Sequence, residues 1–375
     1  MKKRIVALLM ALSLLASVCV FTANAEDPSG VVVNSAEELI EALKTENAQI
    51  TLGSDIVLNE GVTFTYDATN AVIIVSDANG TIAKVRTGEE AGTTTGEVIE
   101  GSLDELNNWT PLANLNGADI NGNGHTIKGL YIGGDASTGG AFVKTIRVGE
   151  SVKNLKFENS LVITSYVTYP ATLVAELYGD VYDVEFKNSF VIGSHVQSGG
   201  KIGGAISQMF PTVSGTTVTY SPTVDGIKFE GGVFDKTGAD LPIGGIIGRS
   251  NGVTVINCEN YAPVKIVNGG TYAAGGIIGL LEPVSDQAYG ANGAPRDSFV
   301  YNNANYGEIV SSNTEKLYAG GIIGRIDVYW SAGEDVFLHN LYNAGKIVNG
   351  QEIVGTMNNS GANFPLDKTM VHYCF

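Results

Sequence analysis

Few residues of this chain stand at spacings that could do chemistry. The run Asp119-Ile-Asn121-Gly-Asn123-Gly124 opens like a calcium loop, in which oxygen ligands alternate along the chain. Such a loop closes with a Glu at its twelfth position, and here that position is Leu130. The segment therefore reads as a Gly/Asn turn between two strands, with His125 behind it as a structural donor. The four histidines, His125, His195, His339 and His372, are isolated. A zinc peptidase needs two of them four apart around a Glu on one helix. Glycoside hydrolysis needs two carboxyls facing one groove. The nearest pairs are Asp180 with Asp183 and Asp235 with Asp240, and both read as solvated corner residues. Carboxylates far apart in sequence can still stack on adjacent turns of a repeat fold, so a carbohydrate-active enzyme stays open as the alternative. These residues call for no metal and no cofactor.

The elements that would position such groups begin after a leader. Lys2, Lys3 and Arg4 precede an almost wholly apolar run from Ile5 to Phe21, and Ala23-Asn24-Ala25 supplies small residues for cleavage after Ala25. Val18 ahead of Cys19 argues against a lipid anchor. No later run approaches the roughly 20 apolar residues of a membrane span. The expected localisation is secreted or on the extracellular cell surface. The chain carries 22 Lys+Arg against 39 Asp+Glu, and loss of the leader makes it more acidic still. That balance disfavours nucleic acid, whose phosphates need a cationic surface. Beyond the leader only Cys258 and Cys374 remain, too few for a disulfide-built fold.

The 48 glycines and the many short Val/Ile/Phe/Tyr runs broken by Gly, Asn and Asp are an all-β signature. Residues 35–44 form the one convincing helix. Ser35 and Glu38 make a capping box, and Leu39, Ile40 and Leu43 share a face. A short amphipathic helix ahead of a solenoid reads as a cap over its open end. Residues 60–108 show no clean repeat. From residue 119 the order is plain. Leu155-Lys-Phe-Glu-Asn159, Val184-Glu-Phe-Lys-Asn188, Ile227-Lys-Phe-Glu-Gly231 and Ile256-Asn-Cys-Glu-Asn260 align, with weaker copies ending at Asn305 and Asn343. A second strand-like run follows each, such as Leu161 to Thr164. A third carries a Gly pair, at 202–206, 243–248, 274–279 and 319–324. Three strands per repeat with tight polar corners describe a right-handed three-sided parallel β-helix with a short N-terminal capping helix.

The alignment also sets columns. Leu155, Val184 and Ile227 should stack inward, as should Phe157, Phe186, Phe229 and Cys258, which places the thiol in the core. Asn257, Asn302 and Asn340 share a column suited to an amide ladder. Outward, Lys156, Glu185 and Lys228 alternate in sign, as do Glu158, Lys187 and Glu230. That alternation suits nearest neighbours in a parallel ladder. Extra residues cluster after the third strand, at Met209 to Pro222, Glu282 to Ser298 and Asp327 to Glu334. They carry Phe210, Tyr220, Tyr289, Tyr329 and Trp330, the candidate ligand-binding residues, because insertions on one face of a repeat protein often bind. The competing reading is that these rings only cover the loop bases.

The runs Asn107-Asn-Trp-Thr-Pro-Leu112 and Asp119-Ile-Asn-Gly-Asn-Gly-His-Thr-Ile-Lys-Gly-Leu130, the Gly-Gly-Ile-Ile-Gly copies and Asn257-Cys-Glu-Asn260 resemble bacterial GLUG-motif proteins over roughly 107–357. Such repeats occur in large secreted and surface proteins, adhesin-like ones and the non-catalytic part of some IgA-specific metallopeptidases among them. The resemblance implies extracellular display or binding: a non-enzymatic module for adhesion, glycan or protein binding, or surface scaffolding. The partner class would be a glycan or a host or cell-surface protein. The runner-up is a polysaccharide lyase or glycoside hydrolase of the parallel β-helix class. The expected organisation is a signal peptide over 1–25, cap helix and irregular first rungs over 26–118, regular rungs over 119–357, and a tail over 358–375.

Overall fold

The structure is a computed structural model, and it describes residues 30–87, 96–134, 140–165, 169–195, 200–214, 217–235, 241–266, 273–282, 297–311, 318–328, 336–359 and 369–372. The chain is all-β and winds as a parallel β-helix, as its repeats imply. One inward column runs unbroken through Val31, Ile50, Ile120, Val152, Val181, Val224, Val255, Val300 and Leu338. The first residues thus already form rungs of the solenoid, ahead of the part whose repeats are regular in sequence. Neighbouring rungs satisfy each other's backbone groups, so an apolar interior one side chain deep is enough to hold each turn.

Two sharp corners shape the long sheet. The first lies at Asn154, Asp183, Gly226, Asn257, Asn302 and Asn340, all with positive φ. Asn, Asp and Gly tolerate this left-handed backbone at least cost. The second lies at Asn159, Asn188 and Gly231 and is absent from the later rungs. Two further parallel sheets close the turn, one through Val143, Val174, Ile206, Ile247, Ile278, Ile323 and Val354, the other through the short Ile-Gly and Ala-Gly strands. Here the paired glycines have a packing reason. A Cβ on Gly245, Gly276 or Gly321 would lie 2.1–2.2 Å from the carbonyl oxygen of the next rung.

The missing second corner moves one expected residue. Cys258 follows corner residue Asn257, as Ile227 follows Gly226, so it continues the column of Leu155, Val184 and Ile227. Phe229 is paired with Asn260 instead. The inner column is therefore Ile56, Ile127, Phe157, Phe186, Phe229, then Asn260, Asn305 and Asn343. The outward charges pair as expected at Lys156 and Glu185, 3.3 Å apart, and at Glu158 opposite Lys187. Glu230 departs from this. The register slips by one residue between Phe186 and Ser189, and Glu230 bonds Lys228 on its own rung at 2.9 Å.

The cap helix α1 (Ala36–Ala42) is closed by Ser35, whose hydroxyl accepts from Glu38 N. The Glu38 carboxylate in turn accepts from Asn34 N at 2.7 Å. Leu39, Ala42 and Leu43 face the interior, whereas Ile40 points outward. The irregular stretch after residue 60 folds as a four-stranded antiparallel sheet, Thr63–Asp67, Val72–Asp77, Gly80–Arg86 and Val98–Gly101. It lays Phe64, Ile73, Val75 and Val85 over the outer side of Leu161, Ile163, Phe190, Ile192 and Phe234, forming a second apolar core against the solenoid wall. No described helix is long and apolar enough to cross a membrane.

Candidate binding surface

The residues singled out for chemistry are mostly engaged. Asn121 Oδ1 accepts from Asn123 N at 3.0 Å, and Asn123 takes positive φ, so the calcium-like run is a side-chain-closed turn. Asp119 accepts from Ser151 Oγ at 2.5 Å and Gln49 Nε2 at 3.0 Å. His125 Nδ1 lies 3.5 Å from Asp55 Oδ1, and His339 sits edge-on to Tyr301 at 5.9 Å. Asp180 accepts from the Tyr220 hydroxyl at 2.5 Å and from Thr223 N at 2.8 Å. Asp183 is a corner residue, and Asp235 is buried. The Cys258 thiol is buried against Ile256 O, and that burial pushes its pKa up to about 12. Asp240, Cys374 and the side chains of His195 and His372 lie outside the described residues.

Two buried carboxylates lie on adjacent rungs. Glu282 ends one strand and Asp327 is the penultimate residue of the next strand of the same sheet, and both are buried. Each is matched by a guanidinium: Arg249 bonds Glu282, and Arg325 bonds Asp327 at 2.5 Å. Each carboxylate therefore already has a cationic partner beside it. A hydrolytic pair needs one carboxyl protonated and the other not.

The candidate ligand-binding rings divide. Phe210 is buried, 5.9 Å from Tyr178 and under the Arg249 guanidinium at 5.7 Å. Tyr220 is half-buried on a hairpin, Thr212–Ser214 with Thr217–Tyr220, and its hydroxyl is spent on Asp180. Burial, followed by that carboxylate, raises its pKa far above the usual phenol value. Tyr289, Tyr329 and Trp330 lie outside the described residues. The strands that precede the three insertions, Ile206–Met209, Ile278–Glu282 and Ile323–Val328, belong to one sheet.

A different surface gathers exposed rings, along the first corner of the later rungs. Asn257, Asn302 and Asn340 stack there as an exposed amide ladder. Asn340 Nδ2 donates to Asn302 Oδ1 at 2.9 Å, Asn302 Nδ2 to Asn257 Oδ1 at 3.1 Å, and Asn257 Nδ2 to Asp225 Oδ1 at 2.7 Å. Aromatic stacks flank it. On one side Phe299 and Phe337 lie parallel at 5.1 Å, with Tyr301 edge-on to Phe299 at 5.9 Å. On the other, Tyr261 and Tyr306 stack at 4.6 Å and Tyr342 meets Tyr306 edge-on at 6.0 Å. These three tyrosines are 39–47% exposed. Partial burial and the Glu259 carboxylate, which accepts from its hydroxyl at 2.9 Å, push the Tyr261 phenol up. The phenol thus stays a proton donor. Toward the N-terminus the same corner opens into a shallow depression of ≈ 380 Å³ among Asn121, Asn123, Asn154, Lys156, Asp183 and Glu185.

This surface lies outside the insertions that the sequence pattern favours. Its signal was nevertheless there: Tyr261 and Tyr306 each directly follow the repeat Asn, and Phe299-Val-Tyr301 aligns with Phe337-Leu-His339. Side chains on solvent-facing columns read as filler until the corner is known to bring two such columns together.

Fold and surface together define a parallel β-helical repeat protein with an exposed amide and aromatic corner. Among solved structures it is similar to a chain described as a "putative immunoglobulin A1 protease" from Bacteroides ovatus, with a TM-score of 0.52 and 16% identity over 89% of this chain and 85% of that one. At that identity the likeness is one of fold. No family model and no curated protein matches the chain.

Proposed function

We propose that the chain is an exported, extracellular β-helix module that binds a partner rather than transforming one, and that it belongs with the GLUG-motif surface proteins its repeats resemble. One observation carries this reading: the later rungs set Tyr261, Tyr306 and Tyr342 on the outside, 39–47% exposed, with the half-buried Phe299, Tyr301 and Phe337 on the other side of the same corner. Rings held in stacks on a preorganised repeat lose little entropy on binding, and exposed aromatic patches mark contact surfaces. The leader-like start and the acidic balance support export. The engaged states of Asp180, Glu282 and Asp327 support a non-catalytic reading.

Two measurements test the reading. Protein secreted from the native host should begin at Glu26, and a start at Met1 would refute export. Purified protein should leave pectin, alginate, hyaluronan and a casein substrate intact while retaining partners on an array of glycans and host proteins. Depolymerisation that vanishes when one carboxylate becomes its amide would establish the enzyme instead.

A further inference from the structure

We infer that the corner at Asn257, Asn302 and Asn340 is a binding strip for an uncharged, linear, hydroxyl-rich glycan lying along the rung axis. The inference rests on the binding-module reading above and narrows it to one surface and one ligand class.

The first argument is periodicity. Asn257 and Asn302 each use one N–H and one oxygen lone pair within the ladder, Asn340 donates one N–H to it, and Asp225 closes the row. A primary amide has two of each. Every rung therefore offers solvent one more donor and one more acceptor, repeated at the inter-strand spacing of about 4.8 Å. A polymer of similar short repeat can satisfy successive rungs with equivalent hydroxyls, which a folded protein surface cannot do without a matching periodicity of its own.

The second argument is charge. Through 254–261, 299–306 and 337–344 the only Asp, Glu, Lys or Arg is Glu259, which is bonded to Tyr261, and at the N-terminal end of the strip the Asp225 carboxylate is accompanied by the Lys228 ammonium 4.9 Å over the Tyr261 ring. This strip is nearly neutral on a chain of formal net charge −17. An anionic polymer would meet the field of the whole acidic molecule, and a cationic one would find few carboxylates here to pair with.

The third argument is the walls. Tyr261 and Tyr306 on one side and Phe299 and Phe337 on the other stack along the same axis. Stacked rings turn their edges outward and present apolar C–H rims, with the tyrosyl hydroxyls as further donors. They would bracket a chain from both sides while the amides read its hydroxyls.

Affinity electrophoresis of the full chain through gels containing mixed-linkage β-glucan, xyloglucan, galactomannan or polygalacturonate tests the strip, run beside an array of neutral and acidic glycans and of glycan-free host proteins. We expect retention by at least one neutral polymer, little by polygalacturonate, and at least about tenfold weaker binding for Tyr306→Ala and for Asn302→Gly, which removes the amide but keeps the left-handed corner. Both side chains are exposed, so circular dichroism should be unchanged, and Tyr182→Phe on the earlier rungs should bind as the unaltered protein does. Neutral-glycan binding that survives both corner substitutions would overturn the strip. Retention of acidic polymers alone, or of glycan-free proteins alone, would overturn the ligand class and leave the binding-module reading standing. Retention of nothing on gel or array would overturn both.

Discussion

Rungs 151–158, 180–187 and 223–230 share one backbone path with rungs 254–261, 299–306 and 337–344, and they dress it inside out. In the earlier rungs the phenylalanine rings are interior, with Tyr182 alone outside. Phe157, Phe186 and Phe229 stack at 5.2 and 5.3 Å, and Lys156, Glu158, Glu185, Lys187 and Lys228 face water. In the later rungs amides occupy the ring column, and the rings stand outside. Asn305 there is fully satisfied: its Nδ2 donates to Gly307 O and Asn343 Oδ1, and its Oδ1 accepts from Asn260 Nδ2 and Gly307 N. The glycines make room for this, since a Cβ on Gly276 would lie 2.4 Å from the Asn305 amide carbon. A phenylalanine column stabilises by burial, whereas an amide column stabilises mainly by what its loss would leave unpaired. Aromatic residues are thus not needed inside the later rungs, and their presence outside asks for another explanation.

The largest effect should come from the ring column. Phe186→Ala removes the middle of a three-ring stack and leaves a cavity that the rigid rungs above and below cannot close. Equilibrium urea unfolding should show a loss of about 3–5 kcal/mol. A loss below about 1 would mean the column relaxes freely, and the contrast with the amide column would fail.

The amide column should respond differently. Asn305→Leu strands Asn260, Asn343 and the Gly307 backbone in a buried site and should cost about 2–3 kcal/mol. The signature is in the cycle. Asn260→Leu and Asn305→Leu together should cost less than the two losses added, because each single change creates unpaired groups that the other removes. Strict additivity would show that the amides act only as volume.

Much of this was legible in the sequence, and the limits have physical causes. Alternation and repeat spacing reveal the β-helix, because each rung must repeat the same inward positions to share one core. The charge alternation at Lys156, Glu185 and Lys228 correctly makes these segments neighbours. Cys258 was misplaced by one column because Asn serves two purposes in this chain. At 159 and 188 it takes the left-handed bend, and at 260, 305 and 343 it hydrogen-bonds in the interior. A string of letters does not distinguish these uses, and only the count from the preceding corner does. The antiparallel sheet over 63–101 hides for another reason: its apolar face packs on the outside of Leu161, Phe190 and Phe234, and no repeat constrains its spacing. The corner rings escaped notice because they stand on outward columns, where no burial pattern singles them out.

A smaller effect separates the outer surfaces by pH. Tyr182, on an earlier rung, is pushed up to about 12 by burial first and by Asp180 next. Its unfolded value is near 10. A phenol raised in the folded state adds stability that is fully present below pH 10 and is lost as pH rises toward 12. Unfolding midpoints should therefore hold to about pH 10 and then fall. Tyr182→Phe should flatten part of that fall, and an unchanged slope would place its origin elsewhere, with Tyr220 as the next phenol to replace.

The outer charge column should matter least. Glu185 lies between Lys156 and Lys228 in the ladder, 3.3 Å from the first, and both members of that pair are about half exposed. Exposed pairs trade Coulomb attraction against the entropy of two long side chains and against screening, so Glu185→Gln should cost well under 1 kcal/mol. Glu185→Lys is more informative. It sets three cations in one column at the rung spacing of about 4.8 Å, where like charges repel. Its cost should exceed that of the amide change, and the excess should shrink as salt rises from 0.05 to 0.5 M, values chosen to span Debye lengths from about 14 to about 4 Å. An excess indifferent to salt would indicate a packing fault. No excess at any salt would mean that solvent already uncouples the column, leaving the alternation of charge as a trace of register rather than a source of stability.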